Sequence, residues 1–269
     1  MIPPLGSIFP KYEREDLMRR ILITGCSSGF GQAIATRFLD GGWEVIATMR
    51  APAREGLPAS EHLRILPLDV TLPQSIQAAL AEAGPIDALV NNAGVGMLNV
   101  LEGSEIDKAR ELFEINVLGT MAMTRAVMPT MRQRRSGVIV NISSSVTLRP
   151  LPALSIYSAS KAAVSAFTES FALEAAEFGV RARLVLPGSA PETSFGRNAV
   201  ARMGMDVPEA YGAFVQAYLQ SLRTATDKTS ALDVSNAVWR AVTDVDAPMM
   251  LPAGADAHAS FREAGRTAA

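Results

Sequence analysis

Short apolar runs alternate with helical patterns along nearly the whole chain, and this alternation constrains the fold more than any other feature. The runs typical of buried strands cover residues 21–23, 43–48, 62–68, 86–90, 137–142, 180–186 and 249–251. The alternation predicts right-handed βαβ crossovers and one doubly wound α/β domain, with a parallel sheet of about seven strands and helices on both faces. Ligands of such sheets bind beyond the carboxyl ends of the strands.

The domain is expected to cover residues 18–255, because no repeat or second boundary interrupts the pattern. Residues 1–17 carry three prolines and no apolar signal-peptide core, so we expect a loose N-terminal arm. We hypothesise that the native chain starts at Met18. An intact mass of natively expressed protein that includes residues 1–17 would reject this. Residues 256–269 are alanine-rich and are expected to form a loosely ordered C-terminal tail.

Composition argues against several classes of partner. The net charge is −2 and no basic run is longer than residues 132–135, so no nucleic-acid partner is expected. No apolar stretch reaches the roughly 20 residues of a membrane span, so no membrane partner is expected. The single cysteine, Cys26, suits a reducing compartment, and we expect a cytoplasmic protein. Two histidines and one cysteine are too few ligands for a transition metal, so no metal is expected.

A glycine-rich turn follows the first predicted strand and contains Gly25, Gly29 and Gly31. A strand, a glycine turn and a helix form the context that a dinucleotide-binding fingerprint requires. The glycines permit close approach of a pyrophosphate, and the helix N-terminus supplies N–H groups and a positive dipole end. A plain helix-entry turn is the alternative. The position after a buried strand favours the dinucleotide site, and with it a Rossmann-type fold.

The second predicted strand ends at Thr48-Met49-Arg50. Proteins that prefer NAD often place an acid here, which binds the ribose 2′-hydroxyl. This chain has a cation where a 2′-phosphate would lie, which favours NADP(H) over NAD(H). The alternative is an ordinary exposed arginine.

Tyr157 and Lys161 lie four residues apart on a predicted helix over 155–178, so they share a face. Ser144 follows the fifth strand, and the topology predicts that the three side chains converge. An ammonium about 5 Å from a phenol would lower the phenol pKa by about two units at an effective dielectric of about 20. Tyr157 could then exchange a proton with an alcohol or carbonyl oxygen. A surface tyrosine and lysine at helical spacing is the alternative.

Other candidates follow from position. Asp69, the segment 92–94 and the pair Pro187-Gly188 each follow a predicted strand, on the same rim as the glycine turn. Asn116 is a polar amide inside the long helical region 105–133, where it needs a partner. It either caps a kink or holds a water near the site.

Two longer segments bear on substrate and assembly. Residues 189–223 are apolar and glycine-punctuated, which indicates a lid over a hydrophobic substrate; a packed peripheral helix pair is compatible with this. Between residues 155 and 173 the only charges are Lys161 and Glu169. Because a surface helix should carry more charge, we expect a second subunit to cover this helix in a homodimer or homotetramer.

These residues together resemble the short-chain dehydrogenase/reductase family over about residues 18–255. The motifs that carry the resemblance are Thr24-Gly25-x-x-x-Gly29-x-Gly31, Asp69, Asn91-Asn92-Ala93-Gly94, Asn116, Ser144, Tyr157-x-x-x-Lys161 and Pro187-Gly188. Residues 23–31 with 47–50 resemble the branch that acts on steroids and retinoids. Two features depart from the family pattern. Val146 and Thr147 stand where many relatives have a glycine, and Thr193 comes one residue later than usual after Gly188.

The resemblance implies roles for the candidates. Tyr157 would be the general acid/base, Lys161 would lower its pKa and bind the nicotinamide ribose, Ser144 would polarise the substrate carbonyl, and Asn116 would hold a relay water. Asp69 would contact the adenine. The cofactor contacts expected are Gly25, Ser27, Ser28, Gly29, Phe30, Gly31, Arg50, Asp69, Val70, Asn92, Ala93, Gly94, Tyr157, Lys161, Pro187, Gly188 and Thr193.

The sequence thus favours an NADP-dependent oxidoreductase that interconverts an alcohol and a ketone or aldehyde. A non-catalytic dinucleotide-binding regulator on the same fold is the alternative, because fold does not fix function. Such a regulator would not need Ser144, Tyr157 and Lys161 together. A nucleotide-dependent transferase would want an acid or metal-binding group at the rim, and none is evident.

Overall fold

The computed structural model describes residues 18–190, 193, 207–224 and 226–266. The predicted N-terminal arm lies outside this part of the chain. So does the portion of the predicted lid that covers residues 191–192 and 194–206.

Seven parallel strands form one sheet in the order β3-β2-β1-β4-β5-β6-β7. They are β1 (Arg20–Thr24), β2 (Glu44–Met49), β3 (Leu63–Pro67), β4 (Ala88–Asn91), β5 (Gly137–Ile142), β6 (Val180–Pro187) and β7 (Met250–Ala253). The order reverses direction between β1 and β4, so the loops after these two strands open a crevice at the rim. This arrangement confirms the predicted doubly wound fold.

Eight α-helices cover the sheet within the described residues. They are α1 (Gly29–Asp40), α2 (Pro73–Ala83), α3 (Ile106–Phe113), α4 (Gly119–Arg134), α5 (Ser155–Ala176), α6 (Gly212–Thr224), α7 (Ala231–Thr243) and α8 (Ala255–Glu263). Successive residues of a strand point to opposite faces of the sheet, so they contribute to two separate hydrophobic cores. Ile21 and Ile23 pack with α1 and α7 on one face, whereas Leu22 packs with α2, α4 and α5 on the other. In the described part of the chain, no helix combines the length and apolarity that a membrane crossing requires.

Two local features differ from the sequence prediction. The long helix predicted over 105–133 is interrupted by a π turn, Glu114–Leu118, between α3 and α4. The predicted loose tail is wrong for residues 255–263, which form α8. Ala257, Ser260 and Phe261 recur there at helical spacing and are buried. Helix α7 begins with a capping box between Ser230 and Asp233.

Candidate active site

The glycine turn is joined to the loop after β4 by hydrogen bonds. The Asn92 side chain donates from Nδ2 to the carbonyl oxygens of Thr24 at 2.9 Å and Gly25 at 3.0 Å. The Thr24 hydroxyl in turn accepts from the backbone N–H groups of Asn92 and Ala93. A Cβ added to Gly31 would lie 2.2 Å from the Gly25 oxygen, so the turn closes only without that side chain. These contacts place the start of α1, with its unpaired first N–H groups, at the crevice.

The predicted adenine side of the site is polar and charged. Arg50 is exposed directly after β2, and its charge acts on Asp69, which follows β3. Partial burial favours the neutral form of Asp69, but hydrogen bonds from Thr71 and the charge of Arg50 outweigh it and hold the pKa below its usual range. Val70 instead packs its side chain into the core beside Gly119, so only its backbone can face the rim.

Asn116 lies in the π turn and has partners for its amide. Its Oδ1 accepts from the Val95 N–H at 2.8 Å, and its Nδ2 donates to the Val95 oxygen at 2.9 Å and to Ser160 Oγ at 3.3 Å. A Cβ added to Gly94 would lie 3.2 Å from Asn116 Oδ1 and 3.6 Å from Lys161 Nζ. The π turn, a feature often found at functional sites, therefore brings Asn116 beside Lys161 at the crevice.

Three successive residues at the end of strand β5 bind helix α5, and the sequence analysis predicted none of these contacts. Asn141 donates to Thr168 Oγ1 at 2.8 Å, and the Ile142 oxygen accepts from Lys161 Nζ at 2.9 Å. Ser143 Oγ donates to the Lys161 oxygen at 3.1 Å. Asn141 and Ser143 could have been recognised from the sequence, because polar side chains in or directly after a fully buried strand require hydrogen-bond partners. These contacts fix the helix that carries Tyr157.

Tyr157 and Ser144 meet at the carboxyl end of β5. The two hydroxyl groups are hydrogen-bonded to each other. Ser144 Oγ also accepts from the Val146 N–H at 3.3 Å and contacts the Pro187 oxygen at 3.5 Å. Lys161 Nζ is 5.9 Å from the centre of the Tyr157 ring. The structure therefore brings together the three side chains that the sequence placed on different elements.

Burial dominates the electrostatics of the pair. Tyr157 is 7% exposed and Lys161 is 5% exposed. Burial raises the pKa of Tyr157 well above its usual range, and the hydrogen bond with Ser144 offsets this only in part. Burial lowers the pKa of Lys161 to about 8. Removal from water disfavours the charged form of both groups, so burial decides the net direction of the Tyr157 pKa in the protein without cofactor. The predicted lowering of this pKa by Lys161 stays a prediction.

The wall around Tyr157 is apolar. Tyr157 packs in one cluster with the buried residues Met97 and Leu112. Partly buried apolar side chains surround this cluster, namely Val95, Phe113, Val146, Leu154 and Ile156. A substrate oxygen that approaches the Ser144 and Tyr157 hydroxyls would thus bring the rest of its molecule against hydrocarbon.

The loop after β6 completes the rim. A Cβ added to Gly188 would lie 2.1 Å from Asp256 Oδ1, so this glycine makes room for a carboxylate. Thr193 donates two hydrogen bonds to the Ala190 oxygen, one from its N–H and one from its hydroxyl. Its Cβ lies 3.4 Å from the position that a Cβ on Gly29 would take. Thr193 therefore lies over the glycine turn. Sequence reasoning missed Asp256, because it assigned that residue to the tail.

The described residues fit a dinucleotide. Gly25 and Gly31 let the turn close against its own backbone and Ala93, and the helix start, Arg50 and the Lys161 ammonium supply groups that favour anions and sugar hydroxyls. Within the described residues, no three His, Cys, Asp or Glu side chains form a group that could hold a metal ion.

Known proteins match both the sequence and the fold. The family model of short chain dehydrogenases matches residues 19–203. Retinol dehydrogenase 8 of Bos taurus is 35% identical over 185 residues, and the match covers 64% of this chain and 59% of that protein. The 17-beta-hydroxysteroid dehydrogenase type 1 of Mus musculus is 33% identical over 243 residues, covering 82% of this chain and 70% of that protein.

Solved structures agree. A short-chain dehydrogenase from Streptomyces avermitilis superimposes with a TM-score of 0.79, at 31% identity over 92% of both chains. A serine dehydrogenase complexed with NADP+ has a TM-score of 0.73, at 28% identity over 87% of this chain and 94% of that chain. The family match, the shared fold and the crevice geometry lead to one conclusion. This chain belongs to the short-chain dehydrogenase/reductase family of NAD(P)-dependent oxidoreductases acting on CH–OH groups, in its steroid and retinol dehydrogenase-like branch.

Proposed function

We propose that this protein interconverts a hydrophobic ketone or aldehyde and its alcohol, with NADP(H) as the redox cofactor. The observation that carries the proposal is the hydrogen-bonded pair of Ser144 and Tyr157 beside Lys161 at the carboxyl end of β5. Both hydroxyls can donate to one substrate oxygen. The cofactor, when bound, supplies or accepts the hydride.

The reductive direction needs Tyr157 as a proton donor, and burial keeps its phenol in the protonated form. A phenol that keeps its proton can donate it to the oxygen of a carbonyl as that oxygen gains charge. Ser144 donates a second hydrogen bond to the same oxygen and orients it. Lys161, held by the Ile142 oxygen, places a positive charge near the phenolate that remains after proton transfer. Asn116, beside Lys161, would hold the water through which the phenolate regains its proton.

The substrate class is inferred from the wall around Tyr157. The cluster of Met97, Leu112 and the partly buried apolar residues around them offers hydrocarbon rather than hydrogen-bond donors. Two relatives are named for retinol and a hydroxysteroid, which are largely apolar alcohols. We therefore assign a hydrophobic carbonyl compound, with a flat or extended apolar body, as the substrate.

The preference for NADP(H) is supported by Arg50. It is exposed where β2 ends, and its charge reaches the neighbouring Asp69. A cation at this position favours a cofactor that carries a 2′-phosphate. A related structure is described as complexed with NADP+.

The mechanism is tested by Tyr157→Phe in a panel of hydrophobic aldehydes and ketones. We expect wild-type protein to oxidise NADPH with at least one of them, and the variant to lose at least about 1,000-fold in kcat, since the proton donor is gone. NADPH binding, measured by fluorescence titration, should persist. Tyr211→Phe removes a phenol hydroxyl from the predicted lid instead, and it should keep turnover because no proton transfer passes through that residue.

Two results would contradict the proposal. Turnover by Tyr157→Phe at the wild-type rate would remove the phenol from the mechanism. Wild-type protein that binds NADPH but reduces no member of the panel would favour the alternative, a dinucleotide-binding regulator.

A further inference from the structure

One peptide group lies between the proposed catalytic serine and the C-terminal part of the chain. The oxygen of the Pro187–Gly188 peptide is 3.5 Å from Ser144 Oγ, and its N–H donates to Thr229 Oγ1 at 2.9 Å. The first contact is long for a hydrogen bond, so a shift of a few tenths of an ångström would break it. The orientation of the Ser144 hydroxyl therefore depends on where this peptide is held.

Two side chains from other segments hold the peptide, in addition to the Ala253 oxygen of β7, which also accepts from the Gly188 N–H at 3.3 Å. Thr229 lies in the loop before α7 and is 3% exposed, and Asp256 lies in the first turn of α8. Thr229 Oγ1 is 2.7 Å from one carboxylate oxygen of Asp256, and the other oxygen accepts from the Ser189 N–H at 2.6 Å. The Thr229 N–H closes the cluster by donating to the Ser189 oxygen at 2.8 Å.

The backbone at Gly188 and Gly254 packs tightly against the side chains of Asp256 and Thr229. A Cβ on Gly188 would overlap both oxygens of Asp256, at 2.1 and 2.2 Å. A Cβ on Gly254, where φ is +97°, would lie 2.0 Å from Thr229 Oγ1. Because glycine is required at both positions, the carboxylate and the hydroxyl lie directly against the main chain. Such close contact indicates that the two side chains hold the main chain in place, and it is not typical of an ion pair at the surface.

The geometry points to Thr229 and Asp256 as positioning residues for the reaction. They fix the Pro187–Gly188 peptide, whose oxygen accepts from the Ser144 hydroxyl before substrate binds and so holds the Ser144 side chain beside Tyr157. This inference rests on the proposed function for its catalytic consequence, but the fixation of the peptide is independent of it. Helix α8 thereby becomes part of the active-site framework.

The test compares Thr229→Val and Asp256→Asn with two controls. Thr229→Ser keeps the hydroxyl, and Asp227→Asn removes the same charge from an exposed site two residues before Thr229. In protein without cofactor or substrate, the amides of Gly188 and Ser189 should exchange with deuterium faster in the first two variants only. The kcat for carbonyl reduction should fall about 10-fold in these two, with KM for the carbonyl little changed. Thr229→Ser and Asp227→Asn should match wild type in both measurements.

A double variant separates positioning from general damage. In a Ser144→Ala background, Thr229→Val should add almost no further loss of kcat, because the group that it positions is absent. Unchanged exchange at Gly188 and Ser189, full additivity with Ser144→Ala, or an equal loss in Thr229→Ser would each overturn the inference. Wild-type protein without carbonyl reduction would refute the proposed function instead, and the exchange measurement would still decide whether the peptide is held as inferred.

Discussion

Tyr157 and Lys161 show that residue spacing and residue environment carry different information. The four-residue spacing predicts that they share a helix face, and the structure places both beside Ser144. The spacing gives no measure of burial, which is set by elements far away in sequence, such as the segment with Met97 and the helix with Leu112. For this reason the sequence could predict the set of residues but not the effect of burial on the phenol pKa.

The buried Lys161 should make stability depend on pH. Its pKa is lowered from 10.5 to about 8, so between these values the native protein binds fewer protons than the unfolded chain, and stability rises with pH. Lys161→Met removes this titration. The unfolding free energy of wild type, relative to Lys161→Met, should therefore increase by about 2 kcal/mol from about pH 7.5 to about pH 10. Urea unfolding at both pH values measures it.

An exposed lysine provides the control for this experiment. Lys228→Met makes the same chemical change at an exposed position and is measured at the same two pH values. The raised pKa of Tyr157 lowers stability above its usual range in wild type and variant alike, so it cancels in the comparison. A wild-type advantage that shrinks as pH rises would contradict the burial of a charged lysine.

Arg50 should determine the choice between the two nicotinamide cofactors. Arg50→Ala removes a cation from the end of β2, and we expect NADPH to bind about 10-fold more weakly while NADH binding is unchanged. Fluorescence titration with both cofactors measures this. Arg54→Ala, at an exposed position on the following loop, is the matched control and should leave both affinities unchanged. Tighter binding of NADH than of NADPH by wild-type protein, unaffected by Arg50→Ala, would refute the assignment.

At the scale of elements, the strands could be predicted because their environment is uniform. A parallel strand covered by helices on both faces reads as a continuous apolar run, and residues 21–23 and 138–140 are such runs. All seven predicted strands occur, with small differences at their ends. The rim position of the glycine turn followed from topology alone, since the carboxyl ends of parallel strands share one edge of the sheet.

The elements that the sequence did not reveal depend on contacts rather than periodicity. The π turn at Glu114–Leu118 adds a residue to a helix whose apolar pattern continues on both sides, and its cause is the pairing of Asn116 with the Val95 backbone. Helix α8 is short and alanine-rich, with a weak pattern of its own. Its place is set by Phe261 in the core and by Asp256 against the loop after β6.

At the scale of the whole molecule, the outer face of α5 between Ala162 and Leu173 is largely apolar, with Glu169 as the one exposed charge in that range. Ala162 and Ala166 are exposed on this helix, Leu173 is 76% exposed, and the Lys161 charge is buried. A helix face with so little charge is typical of a protein–protein interface rather than of a solvated surface. We propose that a second copy of the chain covers it, which would also keep the helix that carries Tyr157 in place.

This proposal predicts a change of mass on a single substitution. Light scattering at micromolar protein should give wild type a mass at least twice the 28.6 kDa of one chain. Leu173→Glu adds a second charge next to Glu169 on this face, and the cost of burying it without a partner, several kcal/mol, should shift the protein to the monomer mass. Leu232→Glu is the matched control, because Leu232 is 63% exposed on α7, on another face of the sheet. A monomeric wild type, or dissociation by both substitutions alike, would contradict an interface at α5.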